Sequence, residues 1–289
     1  MAFNMQTFKT RTITAILFAA IMLFGLLFNY WSFFILFSII HFGCWFEYQK
    51  LVSVIDKDYA DITAFHKYGV QLTGFGFMLY MSNENFAVGQ FSLYQLGWWL
   101  MLVLFISIPV AEVLLSKQLK PKLWAHSVFG LLYISLSCGL MIDIRSSGML
   151  FDTIDLGWIT PLIIVSSIWI NDTMAYIVGS LIGKTQLSSI SPKKTWEGTI
   201  GGALLAVVTV ALLTHFIFEA DWLPSFIIPM IATVAGTFGD LLESKLKRLA
   251  GVKDSGSFLP GHGGFLDRFD SLLLATVFVW FYILLAGWL

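Results

Sequence analysis

Gly239–Leu289 reads GDLLESKLKRLAGVKDSGSFLPGHGGFLDRFDSLLLATVFVWFYILLAGWL. Up to Asp270 it is crowded with charged residues and glycines, whereas the remainder is an almost unbroken apolar run. A hydrocarbon core of about 30 Å is crossed by about 20 apolar residues in a helix. The stretch therefore predicts a membrane helix that follows directly on a dense polar loop.

Composition extends this interpretation to the whole chain. Of 289 residues 57% are hydrophobic and 12% are charged, and the mean hydropathy is +0.80. A soluble domain averages about 25% charged residues. We therefore predict an all-α, polytopic membrane helical bundle. The net charge of −1 gives no reason to expect a nucleic-acid partner.

Hydropathy predicts nine membrane spans, of which the third is short enough that a re-entrant or half-buried helix is an alternative. The spans are 12–29, 31–48, 68–82, 94–115, 123–142, 157–179, 199–218, 224–244 and 269–289.

Basic residues orient these spans. Sixteen of the 17 Lys and Arg residues fall in alternate loops, and Arg145 alone falls in the other set. Since Lys and Arg stay on the cytoplasmic side, the N-terminus is predicted inside and the C-terminus outside. The first apolar run has no small-residue cleavage site, so a retained first helix is expected.

Polar residues that are unusual in a membrane protein are concentrated in 166–270, in the second half of the chain. We expect 1–156 to be membrane-embedding helices with lipid or oligomer contacts. The region 157–289 is expected to be catalytic, with cytoplasmic loops 180–198 and 245–268. A homodimer is compatible with the sequence.

Asp172 lies in the sixth predicted span, next to Asn171. An Asp at the centre of an apolar helix costs about 2.5–3.5 kcal/mol on insertion scales, so it normally faces a partner or a wet cavity. A role in a site is favoured over a simple interhelical hydrogen bond.

The segment Ser191–Gly198, SPKKTWEG, precedes the seventh span. Ser191–Pro192 is typical of a helix entry, and the lysines Lys193 and Lys194 would then lie beside free backbone N–H groups, which suits an anion. Ordinary anchoring at the cytoplasmic surface is the alternative for the lysines. Glycines 198, 201 and 202 can serve close helix packing.

The densest cluster surrounds the loop after span eight. Its helical part has polar residues at i, i+3, i+4 and i+7, which share one face: Asp240, Glu243, Ser244 and Lys247. Asp267 and Asp270 repeat the i, i+3 carboxylate spacing at the start of span nine. Carboxylate oxygens suit Mg²⁺, whereas basic residues and glycine backbone suit phosphates. This pattern fits phosphoryl or nucleotidyl transfer better than a solvated loop with salt bridges.

Ser244–Asp270 also matches a known pattern at every position: S-x-L-K-R-x4-K-D-x-G-x2-L-P-x-H-G-G-F-x-D-R-F-D. It resembles the phosphatidate cytidylyltransferase family, also called CDP-diacylglycerol synthases. The segments NDTMAYIVG and SPKKTWEG are similar to that family as well, so the resemblance covers about 166–289. The first half is similar only in being apolar and in its number of helices.

The resemblance implies the reaction of CTP with phosphatidic acid to CDP-diacylglycerol and pyrophosphate. It implies Mg²⁺, with a companion K⁺, and a multi-pass protein of the cell inner membrane whose active site faces the cytoplasm. Asp240 and Asp267 are the implied ion ligands, and we add Glu243 and Asp270 as helpers. Catalytic roles are predicted for Asp240, Lys247, His262, Asp267 and Arg268. Substrate contacts are predicted for Asp172, Ser191, Lys193, Lys194, Thr195, Ser244, Arg248, Lys253, Asp254, Gly263 and Gly264.

Two other functions are alternatives to this reaction. CTP-dependent polyprenol or phytol kinases would use the same nucleotide but release CDP. A secondary transporter is the other alternative, suggested by Asp172, but transporters place ionisable groups near the midplane and often carry repeated halves. In this sequence the charges cluster at one face, and no internal repeat is detected.

Overall fold

The computed structural model describes residues 5–82, 87–89, 91–115, 120–147, 155–257 and 263–287. Nearly all of them are helical, so the predicted all-α membrane bundle is confirmed. The helices are α1 (Met5–Leu27), α2 (Tyr30–Ile55), α3 (Lys57–Ala60), α4 (Ala64–Tyr80), α5 (Leu93–Leu115), α6 (Pro121–Gly130), α7 (Leu136–Ser147), α8 (Ile159–Ile182), α9 (Trp196–Phe218), α10 (Trp222–Leu249) and α11 (Leu266–Leu285). A π-helical turn, Leu131–Ser135, joins α6 to α7, and two short strands, β1 (Ala87–Val88) and β2 (Phe91–Ser92), pair antiparallel.

Each predicted span corresponds to a helix. In the described ranges seven helices are long and apolar enough to cross a membrane, counting Pro121–Ser147 as one. Thr12–Leu27 is apolar but shorter, and α4 has 17 residues, which at 1.5 Å each give roughly 26 Å. The count of nine and the inside position of the N-terminus therefore stay predictions.

Local signals explain where these helices begin. Asn29 caps α2 through a reciprocal pair of bonds: its side chain accepts from Ser32 N at 2.8 Å, and Asn29 N donates to Ser32 Oγ at 3.0 Å. Such a capping box stabilises a helix start by about 1 kcal/mol and separates α1 from α2 here.

The chain forms two compact units: Met1–Ser146 with Leu249–Phe269, and Ser147–Arg248 with Asp270–Leu289. The first break lies near the boundary expected at 156. The segment Leu249–Phe269, however, groups with the first half of the chain. Side-chain contacts explain this grouping, because Phe265 packs on Gly43 and Phe269 lies 5.9 Å from Phe18 between ring centroids.

The first unit has a polar interior that its composition did not suggest. His66 contacts Glu112 through Nδ1 and Ser127 Oγ through Nε2 at 2.8 Å, and Gln71 donates to Gln49 at 2.7 Å. These buried polar groups satisfy one another, as low-dielectric surroundings require. Thus 1–156 is more than a set of generic apolar helices.

In the second unit, glycines bring α8 and α9 into backbone contact. A Cβ on Gly198 or Gly202 would overlap Ala175, and one on Gly201 would overlap Val178. The predicted role of these glycines in close packing is confirmed.

Candidate active site

Three carboxylates from α10 and α11 form a cluster in the second unit. Single oxygens of Asp240, Glu243 and Asp270 all lie within 4.8 Å of one another. Glu243 is fully buried and Asp270 is 8% exposed. The two helices approach closely because Gly239 packs on the backbone carbonyl of Asp270, where a Cβ would not fit.

Two lysines and a serine contact this carboxylate cluster. Lys194 Nζ contacts Asp240, Lys247 Nζ contacts Glu243 one helical turn away, and Ser244 Oγ donates to Asp240 Oδ1 at 3.2 Å. The predicted shared face of α10 is therefore present. Buried carboxylates need such compensating cations, because desolvation strongly penalises an isolated charge.

Glu197 holds the loop that carries Lys194. Its carboxylate accepts bonds from the backbone N–H groups of Lys184 and Thr185 at 3.1 Å. Across the loop, Leu187 N donates to Lys194 O at 2.8 Å and Trp196 N donates to Thr185 O at 2.9 Å. These bonds make the loop a narrow, pinned hairpin.

The predicted helix entry at Ser191–Pro192 is wrong. Helix α9 begins at Trp196, and its N-cap is Thr195, whose Oγ1 accepts from Gly198 N at 3.1 Å. Ser191 instead starts a turn that Lys194 N closes by donating to Ser191 O at 3.1 Å. The turn, and not the helix N-terminus, sets the direction of Lys194.

A cavity of about 370 Å³ lies between the Lys194 loop and helices α8, α9 and α10. This volume lies in the usual range for ligand sites. Five predicted site residues line it together: Asp172, Lys193, Lys194, Thr195 and Asp240. Its other walls are Asn171, Ala175, Tyr176, Gly179, Ser180, Thr199 and Thr237. The lining of the cavity thus includes two lysines and the carboxylates of Asp172 and Asp240.

Burial lowers the pKa of Lys194 below its ordinary value of 10.5. The nearby charges of Asp172 and Asp270 oppose that shift, whereas the charge of Lys247 adds to it. Lys194 thus loses its charge at a lower pH than an exposed lysine does, although the neighbouring carboxylates favour its charged form.

In the first unit, Asp267 lies at the start of α11 and is held by the preceding loop. Its Oδ2 accepts from Gly264 N at 2.7 Å and Ser255 N at 2.9 Å, and lies 3.0 Å from Ser255 Oγ. Gly263 has φ 85° and faces this carboxylate so closely that a side chain would collide with it. Backbone thus wraps the aspartate, as a glycine-rich loop allows.

Four charged residues that were predicted to take part in the site are exposed: Arg248 near the end of α10, Lys253 and Asp254 in the connection to α11, and Arg268 in the first turn of α11. His262 lies outside the described residues.

Sequence reasoning missed Glu47 and Glu197. Glu47 is buried in α2, where it contacts the loop before α11. The signal that singled out Asp172, an acid inside an apolar span, was also present at Glu47. Glu197 lay within the quoted SPKKTWEG segment but received no role.

Comparison with known proteins identifies the family. A family model described as "Cytidylyltransferase family" matches residues 9–286. The chain is 36% identical over 198 residues to phosphatidate cytidylyltransferase 5, chloroplastic, of Arabidopsis thaliana, covering 62% of this chain and 50% of the relative. It is 42% identical over 155 residues to the phosphatidate cytidylyltransferase of Bacillus subtilis (strain 168), covering 52% and 54%.

A third relative is the phosphatidate cytidylyltransferase of Thermotoga maritima, with 45% identity over 131 residues, 42% of this chain and 48% of the relative. The chain spans about half the length of the curated relatives it matches. The family model, by contrast, matches nearly the whole chain. The protein is therefore a member of the cytidylyltransferase family.

Proposed function

We propose that this membrane protein is a phosphatidate cytidylyltransferase, which converts CTP and phosphatidic acid to CDP-diacylglycerol and pyrophosphate. The observation that carries the proposal is the cavity whose walls combine Lys193 and Lys194 with Asp172 and Asp240. Family membership and the names of the matched relatives support the same reaction.

The reaction joins two anions. An oxygen of the lipid phosphate attacks the α-phosphorus of CTP, a new P–O bond forms, and the bond to pyrophosphate breaks. Because the attacking phosphate is already ionised, positioning and charge neutralisation matter more than a strong base. Lys193 and Lys194 bind and orient one of the anions, and Asp172 completes the cavity wall.

The carboxylate cluster fits Mg²⁺. It offers three hard oxygen donors within 4.8 Å of one another, the ligand type that Mg²⁺ prefers. We propose Asp240, Glu243 and Asp270 as residues that hold the ion, together with Asp267 as the resemblance implies. When bound, Mg²⁺ would neutralise charge on the CTP phosphates. A companion K⁺ is proposed on the same resemblance.

We also propose that the basic residues around the α10–α11 connection bind phosphate groups. Lys247, Arg248, Lys253, His262 and Arg268 would neutralise the pyrophosphate and the lipid phosphate. Ser191, Thr195, Ser244, Asp254, Gly263 and Gly264 are the further proposed substrate contacts. The cell inner membrane, with the site at the cytoplasmic face, is the proposed location, since CTP is available there. A homodimer is the proposed assembly.

An apolar groove in the second unit suits the lipid's acyl chains. It has a volume of about 570 Å³ and is lined by Met230, Ile231, Val234, Ala235, Phe238, Leu274 and Phe278. Phe238 precedes Asp240 by two residues, and Leu274 follows Asp270 by one helical turn. Groove residues and proposed ion ligands thus lie within about one turn of each other along both helices.

A bulky residue in this groove should change acyl preference. Val234→Trp is expected to lower kcat/KM for a long-chain phosphatidic acid by about 10-fold relative to a dioctanoyl analogue, because a filled apolar pocket discriminates by 1–3 kcal/mol. Val208→Trp on the exposed face of α9 is the matched control. Equal effects of both substitutions on the two lipids would exclude the groove from substrate binding.

The pH dependence should report on Lys194. Its pKa is lowered by burial, so rising pH removes this charge before it removes the charge of an exposed lysine. Activity should fall on the alkaline side as the charge is lost. Lys194→Arg should move that decline to higher pH because a guanidinium stays charged. The exposed control Lys245→Arg should leave the profile unchanged, and an unshifted decline in Lys194→Arg would contradict the role of Lys194.

A further inference from the structure

Helix α2 carries a carboxylate, Glu47, that is 5% exposed within a predicted membrane span. A charged residue in such a helix is costly and normally marks a partner or a polar cavity. The partners of Glu47 lie far along the chain, in the loop before α11.

Glu47 binds this loop through one oxygen. Its Oε2 accepts from Ser255 Oγ at 2.6 Å and from Leu266 N at 2.9 Å. Leu266 is the first residue of α11, so its N–H is one of the donors that a helix start leaves without an intrahelical acceptor. Glu47 therefore caps α11 from a separate helix, and its negative charge suits the positive end of that helix.

The space around Glu47 explains two glycines of the loop. A Cβ on Gly256 or Gly264 would overlap the Glu47 carboxylate. Neither glycine has a left-handed φ in the structure, so the requirement is one of space and not of backbone conformation. The loop backbone can close over Glu47 only because these positions lack side chains.

Ser255 connects Glu47 to Asp267. Its Oγ lies 2.6 Å from Glu47 Oε2 and 3.0 Å from Asp267 Oδ2, while Asp267 N lies 3.3 Å from the same Oγ. Gly264, whose Cα faces the Glu47 carboxylate, donates its N–H to Asp267 Oδ2 at 2.7 Å. Of the two residues that bind Asp267 Oδ2, Ser255 is thus bonded to Glu47 and Gly264 packs against it.

We propose that Glu47 is a positioning residue that orients Asp267 for ion binding through Ser255, Gly264 and the start of α11. The inference rests on the proposed function, in which Asp267 is an ion ligand. It assigns a role in the site to the first half of the chain, where no substrate or ion contact was predicted. Groups that orient metal ligands typically change metal affinity or activity by about 10- to 100-fold when removed.

Two substitutions of Glu47 distinguish the loss of its hydrogen-bond acceptor from the loss of its charge alone. Glu47→Leu removes the acceptor and leaves an apolar side chain in the membrane span. It should raise the Mg²⁺ concentration for half-maximal activity by about 10-fold or more and lower kcat. The KM for CTP should change by less than about twofold, since the cavity lysines are untouched. Glu47→Gln can still place an oxygen at the Oε2 position, so it should restore most of the activity.

Two measurements that do not depend on turnover, hydrogen exchange and Mn²⁺ binding, test the positioning role of Glu47. The Leu266 and Gly264 amides should exchange hydrogen faster in Glu47→Leu than in the parent protein or in Glu47→Gln. Mn²⁺ binding to the full-length protein in detergent, followed by electron paramagnetic resonance, should weaken by about 10-fold in Glu47→Leu. Ser255→Ala should move both measurements in the same direction, which provides a second variant should Glu47→Leu fail to fold.

Gln49→Leu is the control for general damage to α2, because Gln49 is equally buried and bonds Lys67 and Gln71. Unchanged exchange and Mn²⁺ affinity in Glu47→Leu and Ser255→Ala would overturn the positioning role. The same changes in Gln49→Leu as in Glu47→Leu would also overturn it. If the parent protein makes no CDP-lipid, the proposed function fails, but exchange and Mn²⁺ binding still decide the role of Glu47.

Discussion

Asp240→Asn should lower kcat/KM for CTP by about 10²- to 10³-fold, the usual effect of losing a pre-organised electrostatic group. Asp240 belongs to the carboxylate cluster, lines the cavity and contacts Lys194. The neutral amide would weaken ion binding and leave the Lys194 ammonium without this charge partner. The measurement is CDP-lipid formation by purified protein over a series of Mg²⁺ concentrations.

Asp221→Asn is the matched control for this prediction. Asp221 is exposed and precedes the other end of α10, so its loss should leave turnover and Mg²⁺ dependence unchanged. Turnover by Asp240→Asn within about threefold of the parent protein would show that the cluster does not hold the catalytic ion.

Asp267→Asn is expected to abolish turnover while the protein stays folded in detergent. The substitution retains an oxygen that can accept the bonds from Ser255 and Gly264, so the loop should keep its structure. What is lost is the negative charge, which an ion ligand needs. Thermal unfolding and size-exclusion behaviour check the fold, and CDP-lipid formation checks the activity.

A matched substitution, Asp61→Asn, changes an exposed aspartate in the connection between α3 and α4 and should have no effect on activity. Near-normal CDP-lipid formation by Asp267→Asn would refute its assignment as an ion ligand. Loss of both folding and activity would instead show that Asp267 serves the loop structure.

Hydropathy predicted the helices well because a bilayer requires long apolar segments, and such segments can be recognised from consecutive residues of the sequence. Helical spacing likewise placed Asp240, Glu243, Ser244 and Lys247 on one face. The boundaries were less well predicted. Helix α11 begins at Leu266, before the apolar run starts, because the Glu47 carboxylate accepts the N–H of Leu266 and Asp267 accepts the N–H of Gly264 in the preceding loop.

Contacts between distant segments could not be predicted. Ser255 and Glu47 are 208 positions apart, and no local pattern indicates that they meet. The same holds for the packing of Gly239 on Asp270, which brings the three carboxylates together. The start of α9 was also predicted wrongly, because two nearby residues, Ser191 and Thr195, are both of a type that caps helices. Thr195 caps α9, and Ser191 lies in a turn.

The proposed reaction is tested most directly with purified protein, radiolabelled CTP and phosphatidic acid, in the presence and absence of Mg²⁺. A phosphatidate cytidylyltransferase should form CDP-diacylglycerol and an equal amount of pyrophosphate, both dependent on Mg²⁺. Release of CDP would indicate a lipid kinase instead, and the absence of Mg²⁺-dependent CDP-lipid would contradict the proposed reaction.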